Sequence, residues 1–174
     1  MLTEGEKAPS FRLKADSGAD VRLEDFRGKY LILYFYPKDM TPGCTRQATG
    51  FTESKRRLVA AGAAVVGVSK DTVASHCTFR DKYAINFPLL SDPELVVHKA
   101  YDAYGEKTLY GKKSMGTIRS TFVIDPDGVL LHAFRGVKVD GHIDKVLDVI
   151  RGNASSASRA PKKSAGAGAT KKKA

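Results

Sequence analysis

Chemistry in this chain concentrates in one segment, Pro37-Lys38-Asp39-Met40-Thr41-Pro42-Gly43-Cys44-Thr45. Cys44 is the reactive candidate, because a thiolate is an intrinsically strong nucleophile. The apolar, aromatic run Tyr30-Leu31-Ile32-Leu33-Tyr34-Phe35-Tyr36 precedes the segment. Residues 45–61 after it contain no proline and space Ala48, Phe51, Leu58 and Val59 roughly as one helical face. This pattern predicts a buried strand and then a helix, with Cys44 in the helix's first turn. The first amides of a helix lack intrahelical partners and carry the positive end of its dipole, so a thiolate is stabilised there. The competing reading is a small buried side chain, since free cysteine is among the most buried residue types. The neighbours weigh toward chemistry. Thr41 can set a hydroxyl beside the sulfur or its substrate, although the same residue would also serve as a helix cap. Pro42 suits an early helical position, and Gly43 lets backbone amides approach a ligand.

A framework must hold that turn in place. An extended segment begins at Ala8-Pro9-Ser10-Phe11-Arg12-Leu13 and pairs with Val21-Arg22-Leu23 across Asp16-Ser17-Gly18. Residues 23–28 read as a short helical turn ended by Gly28. Ala63-Ala64-Val65-Val66-Gly67-Val68-Ser69 predicts a second buried strand, and Asp71 or Thr72 can cap a helix over residues 73–84. Phe87-Pro88-Leu89-Leu90 reads as a loop or short edge strand, because proline cannot donate to a ladder. Residues 94–104 predict a helix with Leu95, Val96 and Ala100 inward. Ser120-Thr121-Phe122-Val123-Ile124-Asp125 and Val129-Leu130-Leu131-His132-Ala133-Phe134 flank a Pro126-Asp127-Gly128 hairpin turn. Residues 140–151 form a closing helix with Ile143, Val146, Leu147 and Ile150 on one face. Strands alternating with helices, then a hairpin and a last helix, argue for an α/β fold with a mixed central sheet flanked by helices.

Composition is that of an ordinary globular protein, with 42% hydrophobic and 28% charged residues. No apolar run is long enough to span a bilayer, so no membrane association is expected. The start of the chain carries Glu4 and Glu6 and no apolar core, so no secretory signal is expected there. Two cysteines do not make a disulfide framework, and the expected setting is reducing and cytoplasmic. His76, His98, His132 and His142 lack metal-ligand spacing, so neither metal nor other cofactor is expected. The net charge of +10 belongs mainly to the end of the chain: removing the seven basic residues of 151–174 from 29 leaves 22 against 19 acids. Residues 153–174 are mostly Ala, Ser, Gly and Lys, which predicts a disordered basic tail beyond a single domain over 1–152.

The segment 34–45, through Pro37, Thr41 and Cys44, resembles the active-site segment of the peroxiredoxins, in particular the bacterioferritin comigratory protein or peroxiredoxin Q subfamily. A second block, Tyr104-Gly105-Glu106-Lys107 and then Met115-Gly116-Thr117-Ile118-Arg119-Ser120-Thr121-Phe122-Val123-Ile124-Asp125, resembles the same subfamily, and the likeness runs from about Lys7 to Arg151. The resemblance implies a thioredoxin-like fold and a thiol peroxidase acting on hydrogen peroxide and organic hydroperoxides. It implies Cys44 as nucleophile, Thr41 as a hydrogen-bonding partner at sulfur and peroxide, and Arg119 as the cation that holds the thiolate and polarises the peroxide. Taken alone, Arg119 would read as a surface ion pair. Pro37 and Gly43 shape the site.

Two positions depart from the subfamily. Thr49 stands where many members carry a resolving cysteine, and Gln47 where a glutamate is common. The second thiol, Cys77, lies in the helix in which other members place the resolving cysteine, about one turn before the usual position near Arg80. Residues three apart share a helix face, so Cys77 is expected to resolve Cys44 as an intramolecular disulfide, with a small core residue as the alternative. The resemblance further implies thioredoxin as reductant, with glutaredoxin or glutathione as alternatives, antioxidant defence as the role, and a monomer. A competing reading makes the chain a nucleic-acid-associated protein, in which the tail lysines contact phosphates weakly and without sequence preference, or serve as a nuclear signal.

Overall fold

The computed structural model describes residues 2–159. Its centre is a seven-stranded mixed sheet with spatial order β2-β1-β5-β4-β3-β8-β9. The strands are β1 (Arg12–Ala15), β2 (Asp20–Arg22), β3 (Tyr30–Phe35), β4 (Ala63–Ser69), β5 (Leu89–Ser91), β8 (Ser120–Ile124) and β9 (Leu130–Arg135). A separate hairpin of β6 (Tyr104–Leu109) and β7 (Lys112–Thr117) lies outside it. The helices are α1 (Pro42–Glu53), α2 (Lys55–Ala60), α3 (Val73–Tyr83), α4 (Val96–Ala100) and α5 (His142–Arg159). Strand β3 pairs parallel with β4 and antiparallel with β8. All six of its residues are buried, as a strand covered on both faces requires.

The period-two alternation of β3 divides the core. Ile32, Tyr34 and Tyr36 point into a cluster with Ala48, Phe51, Leu58, Phe79, Val146, Leu147 and Ile150, so α1, α2, α3 and α5 cover one face. Leu31, Leu33 and Phe35 point into the other, with Phe11, Val97, Tyr101 and Phe122. Cys44 belongs to the first cluster and is 1% exposed.

Several elements differ from what the sequence predicts. The helix starts at Pro42, as expected with Cys44 in its first turn, but the stretch to residue 61 is two helices, broken at Ser54. In segment 87–90, Phe87 and Pro88 are loop, but Leu89 and Leu90 belong to β5, which is not an edge strand: it sits between β1 and β4. Pro88 precedes the strand, so no ladder donor is lost, and its carbonyl accepts from the Gly67 amide. The helix over 94–104 shrinks to α4, because Leu95 adopts the left-handed conformation (φ 63°) at its start; Val97 is buried, whereas Val96 is exposed. The last helix runs past the boundary expected at residue 152, to Arg159, through residues that are mostly tolerant of helix. Asn153 in it donates to the Tyr30 hydroxyl at 2.9 Å. The rest of the predicted tail, 160–174, with its lysines, lies outside the described residues. Among the described residues no helix is long and apolar enough to cross a membrane.

Candidate active site

The chain leaves β3 through Tyr36 and Pro37, turns at Met40 in the left-handed conformation (φ 71°) and enters α1 at Thr41. Pro42 occupies the first helical turn, where its missing N–H costs nothing, and Cys44 follows within that turn. Thr41 holds the N-cap position with extended backbone, but its hydroxyl does not cap. It donates instead to the Lys38 carbonyl at 2.8 Å, which closes the loop on itself and leaves the hydroxyl's lone pairs free to accept.

Arg119 comes from the short connection between β7 and β8 and reaches across to the same turn. Its Nη2 donates to Cys44 Sγ at 3.4 Å and its Nη1 to Gln47 Oε1 at 2.6 Å. The sulfur, already at a helix N-terminus, thus faces a guanidinium as well. A Cβ on Gly43 would lie 3.2 Å from Arg119 Nη2, a tight approach, so a side chain there would press on the guanidinium that faces the sulfur. Arg119 and Gln47 thereby bracket the first turn of α1, and among the described residues no carboxylate pairs with Arg119. Gln47 is 2% exposed, and its Nε2 has no partner among the described residues; the hydroxyls of Tyr34 and Thr45 share that condition. Burial, with the neighbouring Cys44 and Asp39, pushes the Tyr34 hydroxyl well above its ordinary value, so it stays protonated.

Cys77 lies elsewhere. It is on α3, half-buried, and its thiol donates to the Asp16 carbonyl at 2.9 Å. Asp16 follows β1, and β1 is three strand positions from β3. At about 4.8 Å per strand, the strand beside which Cys77 is anchored lies about 14 Å from the strand that leads into Cys44, whereas a disulfide needs Cα atoms about 4.4–6.8 Å apart. Arg80, one turn on, is held by Asp16 at 2.8 Å and by Asp81 at 2.9 Å.

Sequence reasoning missed one cluster. His76, fully buried, and Asp39, 4% exposed, pair at 2.7 Å behind the Cys44 loop. The signal was a polar Ser75-His76 pair in an otherwise capped helix start, but the partners are 37 residues apart and no spacing announces them. Among the described residues no group of three or more His, Cys, Asp or Glu is arranged to hold a metal ion.

Comparison with known proteins places the chain in one family. The sequence pattern of the AhpC/TSA family matches residues 5–133. A putative peroxiredoxin of Mycobacterium tuberculosis is 49% identical over 145 residues, covering 83% of this chain and 92% of that protein. Peroxiredoxin Bcp of Bacillus subtilis is 44% identical over 147 residues, covering 84% and 94%. Among solved structures, the bacterioferritin comigratory protein of Xanthomonas campestris, described for its alkyl peroxide reduction, superposes with a TM-score of 0.78 at 40% identity, covering 83% of this chain and 92% of that one. A peroxiredoxin Q of Xylella fastidiosa superposes with a TM-score of 0.83 at 35% identity, covering 88% and 98%. The thioredoxin-like fold and the identities agree, and the chain belongs to the AhpC/TSA family, as a thiol peroxidase of the Bcp or peroxiredoxin Q type.

Proposed function

We propose that Cys44 is the peroxidatic nucleophile and that Thr41 and Arg119 assemble the peroxide around it. The observation that carries this is the 3.4 Å contact from Arg119 Nη2 to Cys44 Sγ at the first turn of α1. The thiolate attacks one peroxide oxygen. The S–O bond forms as the O–O bond breaks, and the second oxygen leaves as hydroxide or alkoxide, which takes a proton to give water or alcohol. Negative charge moves from sulfur to the leaving oxygen, and fixed donors aimed along that path lower the barrier without reorganising. Arg119 supplies charge at the start and along the path; Thr41 Oγ1, its own proton engaged by Lys38, accepts the peroxide's O–H. Pro37 and Gly43 fix the loop and admit the guanidinium.

The product is a sulfenic acid on Cys44. In the cycle proposed, the Cys77 thiol attacks it, the S–S bond forms, and the oxygen leaves as water. A thioredoxin-type dithiol then reduces the disulfide. Because Cys77 is anchored beside β1 and Cys44 follows β3, with two strands between them, the first turn of α1 unwinds for this step.

Intact mass and free-thiol count after one equivalent of hydrogen peroxide test the reading. Loss of two hydrogens with no free thiol, in a monomeric band on a non-reducing gel, is the expected outcome. One added oxygen on Cys44 with Cys77 still free assigns Cys77 to structure and resolution to an external thiol. An unchanged mass refutes Cys44 as nucleophile.

A further inference from the structure

The buried pair behind the loop has no part in the chemistry described so far. The Asp39 carboxylate receives the Tyr36 hydroxyl on Oδ1 at 2.6 Å, and on Oδ2 the Ser75 hydroxyl at 2.8 Å and His76 Nδ1 at 2.7 Å. His76 Nε2 lies 2.9 Å from the Leu90 carbonyl, which can only accept. Both ring nitrogens therefore face acceptors. Each is placed to donate, Nε2 to Leu90 and Nδ1 to Oδ2, so the ring is held at both ends. Burial works against the Asp39 charge, but the bonds from His76 and Tyr36 overcome it and hold the carboxyl below its ordinary value.

The placement of this unit matters. The Asp39 side chain is fixed to α3, and its own amide donates to Asp71 Oδ2 at 2.7 Å, beyond the end of β4. The next residue, Met40, is held at φ 71°, a conformation that a side chain disfavours, and the one after that is Thr41. The loop is thus pinned twice, by side chain and by amide, at the residue immediately before the turn into α1. We propose that His76 is a positioning residue for Cys44: through Asp39 it holds the turn that delivers the first residues of α1 to Arg119, and it ties that turn to the helix carrying Cys77.

Two substitutions separate this role from general packing. His76→Asn keeps a donor where Nδ1 stands and loses the Leu90 contact; His76→Gln keeps a donor toward Leu90 and loses the Asp39 contact. Hydrogen exchange is followed at the Thr45 amide, which donates to the Thr41 carbonyl at 2.8 Å across the first turn, and at Phe122 and Val123 in β8. His76→Gln should speed Thr45 exchange by about tenfold or more, the scale of one lost hydrogen bond to a charged group, while leaving β8 unchanged. His76→Asn should stay within about threefold of the unsubstituted protein. Tyr36→Phe, which removes another donor to Asp39 and keeps the ring, should move Thr45 in the same direction as His76→Gln. The rate of Cys44 oxidation by peroxide should follow the same order. That second readout rests on Cys44 as nucleophile and the exchange does not, so the two can fail separately. Equal effects of the Asn and Gln variants, β8 exchange rising with Thr45, or a Thr45 rate unmoved by Gln and Phe alike would overturn the assignment.

Discussion

Gln47→Glu is the most informative single substitution at the active site. Arg119 is shared between the sulfur and the neutral Gln47 oxygen, so its charge is not offset by a carboxylate among the described residues. Glutamate would fit the same space and place a negative charge on Nη1. From the 2.6 Å and 3.4 Å contacts, with the guanidinium between them, that charge would sit about 7 Å from Cys44 Sγ. At an effective dielectric constant of about 20–40, two unit charges at that separation repel by about 1–2 kcal/mol. Both groups are buried, so salt screens the interaction little. At a fixed pH where Cys44 is mainly protonated, its thiolate fraction should fall by about tenfold. The assay is thiolate absorbance near 240 nm in a Cys77→Ser background, alongside the second-order rate of oxidation by hydrogen peroxide. Gln47→Met is the control, since it removes the oxygen contact without adding charge and should cost less than Glu. If Gln47→Glu keeps its thiolate absorbance and rate, or if Met costs as much as Glu, the electrostatic reasoning is refuted. The outcome bears on how this chain differs from its relatives, because glutamate is the residue the subfamily resemblance leads one to expect at this position.

Two further outcomes follow from the same geometry. Gly43→Ala puts a methyl group 3.2 Å from Arg119 Nη2; the oxidation rate of Cys44 should drop by about tenfold, while the urea midpoint holds or rises because alanine favours the helix. His142, buried with Nε2 2.8 Å from Thr121 Oγ1, is pushed down to about 4 by burial and then by Lys145. It is neutral in the folded protein at pH 5, whereas the unfolded chain takes up a proton below about pH 6.5. The unfolded state thus binds more protons between about pH 6.5 and 4, and stability falls as pH falls through that window. Urea unfolding at pH 7 and pH 4.5 should show His142→Gln losing about 2–3 kcal/mol less than the unsubstituted protein over the interval.

What the sequence could and could not reveal follows from where the information is stored. Strands β3 and β4 are readable because a two-sided buried strand has to be continuously apolar, and the β8–β9 hairpin because Pro126-Asp127-Gly128 carries its own turn chemistry. Strand β5 is not, since three residues after a proline give no periodicity, and its place between β1 and β4 is set by pairing with residues far along the chain. Helix α4 is shortened by a left-handed leucine, which local propensity argues against. At the site, Cys44 is visible from its strand, proline, glycine and helix. Arg119 is 75 residues away and is singled out only by resemblance. Asp39 and His76 were passed over, because a buried ion pair is a property of two distant residues and neither looks unusual alone.

The distance between the thiols also decides which part of the molecule would move in a two-cysteine cycle. Helix α3 is capped by Thr72, packs Phe79 into the core, and is tied by His76 to Leu90 in β5 as well as to the loop. Carrying Cys77 to Cys44 would break all three. The first turn of α1 contains Pro42, which donates nothing, and Gly43, which buries no side chain; of the three residues only Cys44 leaves the core when the turn opens. Residues 40–44, released beyond the Asp39 anchor as an extended chain, span up to about 16–18 Å, more than the about 14 Å between β1 and β3. Opening the first turn is therefore the cheaper path, with Cys44 travelling to a stationary Cys77. The same step withdraws the sulfur from Arg119. In a two-cysteine cycle, the arrangement that favours attack on peroxide would thus be the one that delays resolution, and a weaker Asp39–His76 tie would shift the balance toward resolution.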